Sequence, residues 1–191
     1  KYLYKRIKDI DMIVFSDFNY GCLPQQLVDR IILLAKKYKI KLIADSQSSS
    51  QLGDIARFKD CFLLTPTEHE ARVSTHNSTD GIVFLTKLLR KKSNCKHIFL
   101  KLGEEGLLMH SSINNDSNWI DDKIEAINES PVDAAGAGDS FLMTSALSLA
   151  FKGNIWESAY LGMIASAIQV STIGNIPIDK NKIVEVIDLL N

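Results

Sequence analysis

The chain has 191 residues, 46% hydrophobic and 24% charged, with a formal net charge of -1, proportions that suit an ordinary soluble domain with a sizeable core. Such a balance offers no basic excess for nucleic acid and no acidic block for a disordered tail. No run of 18 apolar residues suggests a membrane span, and Cys22, Cys61 and Cys95 form no CxxC pair, so a reducing, cytoplasmic setting is expected.

The chain starts on Lys1 and reaches an apolar run almost at once, which reads as a fragment lacking an earlier part. Residues 10–16, IDMIVFS, predict a buried strand with Asp17 at its carboxyl end. The loop FNYGCLP follows, punctuated by Gly21 and Pro24. Apolar residues at 27, 28, 31, 32, 34 and 35 predict a helix, and IKLIADS (40–46) a strand ending near Asp45. SSSQLGDIARF is polar, then weakly helical, and CFLLTPT (61–67) predicts another strand and a turn. Helices over 68–73 and 80–91 lead to a strand at 97–103, HIFLKLG, with GLLMHSS (106–112) as its hairpin partner. INNDSN (113–118) predicts a polar turn and WIDDKIEAINES one or two more strands. Helices are predicted at 139–151, 155–169 and 179–190.

Alternating strands and helices predict a mostly parallel sheet covered on both faces, a single α/β domain over residues 1–191. Right-handed crossovers would bring Asp17, Asp45, Thr65 and Gly103 to the carboxyl edge, where open parallel sheets bind ligands.

DAAGAGDSF (133–141) carries the strongest chemical signal. Its small residues cannot fill a core, and Gly136 and Gly138 permit positive φ or close backbone approach. The first turn of the following helix presents unpaired N–H groups, which a phosphate can reach over such small side chains. Asp139 has the wrong charge to hold an anion but suits the acceptance of a proton from an attacking hydroxyl. A plain helix cap after a glycine loop is the bland alternative. Neither the GxxxxGK[ST] spacing nor GxGxxG is present.

DAAGAGDSF also resembles the signature of the PfkB, or ribokinase-like, carbohydrate kinases, close to D-T-x-G-A-G-D-x-F. KLGEEG (101–106) resembles the strand and turn beside the nucleotide in that family, and LLTPTEHEA (63–71) its N-x-x-E segment. IVFSDFNYG, IADSQ and LLTPT are similar to segments of the heptose-phosphate kinases. The resemblance covers nearly the whole chain. It implies a three-layer, Rossmann-like ribokinase fold with a mostly parallel central sheet, here its C-terminal portion without the front strands and lid.

The same resemblance implies ATP-dependent phosphoryl transfer to a sugar or sugar phosphate. Asp139 would be the general base, with backbone N–H groups of Gly136, Ala137 and Gly138 facing the phosphoryl group. Asp133 would stand at the loop entrance, near a monovalent cation. Gly103 and Gly106 would let the strand turn beside the nucleotide, and Gly174 and Asn175 of STIGNIP (171–177) would close around the adenine. Glu70 would organise Mg2+ and its waters, while Thr67 and Glu70 equally make a capping box. A homodimer or a fused partner domain fits the family; nucleic acid and membrane do not.

Two departures matter. Tyr20 and Gln47 stand where heptose-kinase segments carry Lys, and neither replaces a cation beside an anionic substrate. A non-catalytic or regulatory nucleotide- or sugar-binding domain of the same fold is therefore the alternative, and a vitamin-type kinase of that fold a third. His69 and His76 lack a tight metal-ligand spacing. The basic segment KLLRKKSNCK (87–96) suits a helix end in solvent and lacks the interleaved aromatics of a nucleic-acid site.

Overall fold

A computed structural model describes residues 2–48, 53–113, 118–128 and 131–190. They group into two compact units, Lys1–Lys101 with Leu108–Asp122, and Leu102–Leu107 with Lys123–Asn191.

The first unit opens with a short helix α1 (Tyr2–Arg6), a detail absent from the sequence expectation, and continues with β1 (Met12–Asp17), α2 (Gln25–Tyr38) and β2 (Lys41–Ser46). Next come β3 (Leu63–Leu64), α3 (Glu68–Thr75), α4 (Ile82–Ser93) and β4 (His97–Lys101). β5 (Leu107–Ile113) and β6 (Asn118–Ile124) complete a six-stranded sheet of order β1-β2-β3-β4-β5-β6. β1 to β4 run parallel, with Met12 opposite Lys41, Ile43 opposite Leu63 and Leu63 opposite His97. Parallel strands covered on both faces need continuous apolar runs. Accordingly Leu42, Ile43, Ala44, Leu63, Leu64, Ile98, Phe99 and Leu100 are all buried.

Local chemistry sets the boundaries. Helix α3 starts on the capping box of Thr67 and Glu70, and α2, α3 and α4 end on Lys39, His76 and Asn94 in the left-handed conformation. Within 61–67, read as a strand followed by a turn, a bridge pairs Thr67 with Lys101 and the strand itself is Leu63–Leu64. Pro66 interrupts it, because it has no N–H to donate; its carbonyl accepts from Lys101 N–H at 2.8 Å. The strand expected to reach residue 103 stops at Lys101, ahead of a 3-10 turn over Gly103–Glu105. Much of the polar turn expected over 113–118 and residues 49–52 of SSSQLGDIARF lie outside the described residues.

The second unit contains that 3-10 turn and three helices, α5 (Ala137–Ala150), α6 (Ile155–Val170) and α7 (Lys180–Leu190). Helix α5 buries Phe141, Leu142, Ala146 and Leu149, and α6 buries Ala159, Ile164 and Ala165. Helix α6 begins on a second capping box, Asn154 with Glu157.

Candidate functional site

Each unit carries polar groups where its elements end. In the first, the carboxyl ends of β1, β2 and β3 bring Asp17, Asp45 and Thr65 onto neighbouring strands, all buried. Buried carboxylates need partners. Arg57 Nη2 lies 2.6 Å from Asp17 Oδ2, and Lys101 Nζ lies 3.0 Å from Asp45 Oδ1. Thr65 Oγ1 donates to the same Asp45 oxygen at 2.9 Å. Asn19, held at φ 59°, donates its backbone N–H to Asp17 Oδ1 and its side-chain amide to Ser46 Oγ and Gln47 O.

Glu70, also buried, accepts from Thr67 N–H at 2.7 Å through Oε2 and from Ser48 N–H at 3.2 Å through Oε1. The capping half of its two expected roles is thus built. Each carboxylate oxygen has two acceptor sites, so one N–H bond apiece leaves capacity for a metal-bound water. Among the described residues no three His, Cys, Asp or Glu side chains gather as a metal-holding group.

In the second unit, the glycine turn leads into α5. Gly136 caps the helix at φ 77°, ψ 0°, and a Cβ there would stand 2.4 Å from Asn175 Oδ1. Any side chain would therefore meet both left-handed strain and a collision. Gly138 and Asp139 occupy the first turn of α5, where N–H groups lack intrahelical acceptors. Ala137 departs from the expected cradle: its N–H donates to Ala134 O at 3.3 Å and so serves the turn. Asp139 is half-buried.

Asp133 ties two segments together. Its Oδ1 accepts from Ala135 N–H at 2.9 Å and its Oδ2 from Gly174 N–H at 2.8 Å. These donors, Ala135 first, hold its carboxyl below the usual carboxylate range. Gln169, buried in α6, donates to Gly174 O at 2.9 Å. The structure therefore gathers Asp133, Gly136, Gly174 and Asn175, four of the residues singled out from sequence. Gly106 packs elsewhere: at φ 90° its Cβ position lies 2.1 Å from Ile124 O. Gly103 takes φ 63° in open space. Tyr20 is 70% exposed.

Sequence reasoning missed Arg57, Lys101, Asn19 and Gln169. Lys101 heads KLGEEG and Asn19 lies within IVFSDFNYG, so both stood in quoted segments without being singled out; Arg57, on a 3-10 turn, and Gln169, in a helix, had no motif to mark them.

Residues 2–181 match the model of the pfkB family carbohydrate kinases. Among curated proteins, the chain is 27% identical over 168 residues to the bifunctional protein HldE of Campylobacter fetus, covering 86% of this chain and 34% of that one. It is 26% identical over 182 residues to HldE of Helicobacter acinonychis, covering 91% and 36%. The chain thus spans about a third of the length of these relatives. Among solved structures, phosphofructokinase-2 from Escherichia coli in complex with potassium superposes with a TM-score of 0.77 at 18% identity, covering 99% of this chain and 61% of that one. Arabidopsis thaliana ribokinase complexed with ribose and ATP gives 0.76 at 19%, covering 95% and 57%. The fold is accordingly the α/β, Rossmann-like ribokinase fold with a largely parallel central sheet. With a family match over nearly its full length, the chain belongs to the pfkB family of carbohydrate kinases.

Proposed function

We propose that this protein transfers the γ-phosphoryl group of ATP to a hydroxyl of a sugar or sugar phosphate, with Asp139 as general base. The observation that carries the proposal is the left-handed Gly136 turn at the start of α5, closed against Asn175 and followed by Asp139. In this reaction the acceptor oxygen bonds to the γ-phosphorus as the bond to the β–γ bridging oxygen breaks and ADP leaves. The hydroxyl proton passes to the Asp139 carboxylate. The N–H groups of Gly136 and Gly138 stabilise charge on the transferring group without having to reorient.

Glu70 is the residue that would hold Mg2+ through water, and the ion would neutralise phosphate charge. A monovalent cation at this loop would sit among main-chain carbonyls beside Asp133, whose two oxygens each accept one backbone N–H bond. Gly174 and Asn175 would border the nucleotide. A heptose phosphate is the acceptor favoured by the resemblance of IVFSDFNYG, IADSQ and LLTPT to segments of the heptose-phosphate kinases, and the bifunctional name of the HldE relatives favours a fused partner domain. A cytoplasmic setting belongs to the same proposal; among the described residues no helix is long and apolar enough to cross a membrane.

Tyr20, Gln47 and the pairing of both Arg57 and Lys101 with carboxylates favour a second reading, a nucleotide- or sugar-binding domain without turnover. ATP consumption by the full-length protein against a panel of sugars and sugar phosphates, heptose phosphates included, separates the two. Turnover on one compound that depends on Asp139 supports the kinase. Nucleotide binding without turnover on any compound supports the regulatory domain.

A further inference from the structure

A further feature lies at the other edge of the sheet. A cavity of about 670 Å³ opens at the amino ends of β2, β3 and β4, within the first unit. Its apolar floor includes Ile32, Ala35, Leu42 and the two buried thiols Cys61 and Cys95. Around it stand five cations, Lys36, Lys39, Lys41, Arg90 and Lys96, and one carboxylate, Asp60. None of the five makes an ion pair among the described residues. Asp60 instead accepts from Asn94 Nδ2 at 2.5 Å.

Helix-end electrostatics account for part of this cluster. Lys36 and Arg90 lie in the last turns of α2 and α4, and Lys39 caps α2. Lys41 and Lys96 do not fit that account, because one begins β2 and the other precedes β4. The two helix ends supply about half a negative charge each, which with Asp60 leaves roughly three positive charges uncompensated. Two of the cations lie over aromatic rings: Lys41 Nζ is 4.5 Å from the Phe62 ring centre, and Arg90 Cζ is 4.0 Å from that of Trp119. Arg90 Nε–H is buried with no hydrogen-bond partner among the described residues, a donor that a bound anion would satisfy.

We propose that this cavity is a second binding site, for a small molecule bearing two or more phosphate groups. Its volume is that of a small-molecule pocket. An excess of about three positive charges calls for a multiply charged anion, since a monoanion would leave most of the cations repelling one another. Lysines set round the rim act as point charges on separate phosphates, and the Arg90 guanidinium, steadied on Trp119, offers fixed donors. The site shares no residue with the glycine turn, so it stands or falls independently of the kinase proposal.

Trp119 lines the cavity, and Trp156 is the other tryptophan of the chain. In the full chain carrying Trp156→Phe, inorganic tripolyphosphate added at constant ionic strength should change Trp119 fluorescence to saturation. Lys41→Gln with Lys96→Gln should weaken that affinity at least tenfold with an unchanged circular dichroism spectrum. Lys36→Gln with Lys39→Gln, all solvent-facing, should weaken it similarly and serves if the first pair misfolds. A non-saturating response equal to that of sodium chloride would overturn the site. Unchanged affinity in both pairs would do the same, and citrate binding as tightly as tripolyphosphate would overturn the phosphate assignment.

Discussion

Asp139 is the residue on which the proposed chemistry turns. Replacing it with Asn keeps the shape and removes the proton acceptor, so turnover should fall by about 10²–10⁴-fold. Nucleotide affinity, measured by calorimetry, should stay within a few-fold. The glycines separate by what surrounds them. Gly106→Ala places a Cβ 2.1 Å from Ile124 O at φ 90°, and should cost about 3 kcal/mol in urea unfolding. Gly103→Ala carries only left-handed strain in open space, about 1 kcal/mol. Equal losses at the two positions would refute the packing account of Gly106. Both glycines were visible in KLGEEG; which one touches backbone was not, because residues 124–126 lie well beyond the motif.

At the scale of elements, capping and loop closure make distinct demands. Thr67→Ala removes the side-chain acceptor for Glu70 N–H and should lower stability by about 1 kcal/mol, read from thermal unfolding. Asp133 couples the turn before α5 to the loop after α6 through Ala135 and Gly174. Its native pKa lies below the unfolded value of about 3.9. Its contribution is therefore complete above that value and is lost as pH falls through the lowered native pKa. The Ala135 and Gly174 amide proton shifts should titrate together with a midpoint below that of an ordinary aspartate, and Asp133→Asn should abolish the titration. Most elements were legible because their patterns were clean: α2 and α4 follow a helical period and β1, β2 and β4 an apolar run. The third strand was read together with its turn, and it ends ahead of Pro66, which cannot donate the next ladder bond.

For the whole molecule, the strands of the sheet hold a large part of the buried core. Phe99, in the middle of β4, is fully buried. Phe99→Ala should cost about 3–5 kcal/mol in urea unfolding, a large share of the stability of an ordinary domain. The same sheet sets its strand ends to different uses. Asp17 and Asp45 gather at the carboxyl ends with Arg57 and Lys101, while Lys41 and Lys96 collect at the amino ends with no ion-pair partner among the described residues. The basic segment 87–96 looked like a solvated helix end in one dimension. Its Arg90 and Lys96 instead join lysines about 50 residues earlier around a shared cavity.

The family, the strand–helix alternation and the glycine–aspartate turn were all readable from residue order, because each depends on short-range periodicity or on residue types at close spacing. Partnership was not readable. That Asp133 binds Gly174 and that Lys101 neutralises Asp45 are outcomes of chain crossing, and that Ala137 spends its N–H on Ala134 follows from the backbone angles the turn adopts. Each joins groups whose pairing depends on register, burial and backbone angle, and only folding brings those three together.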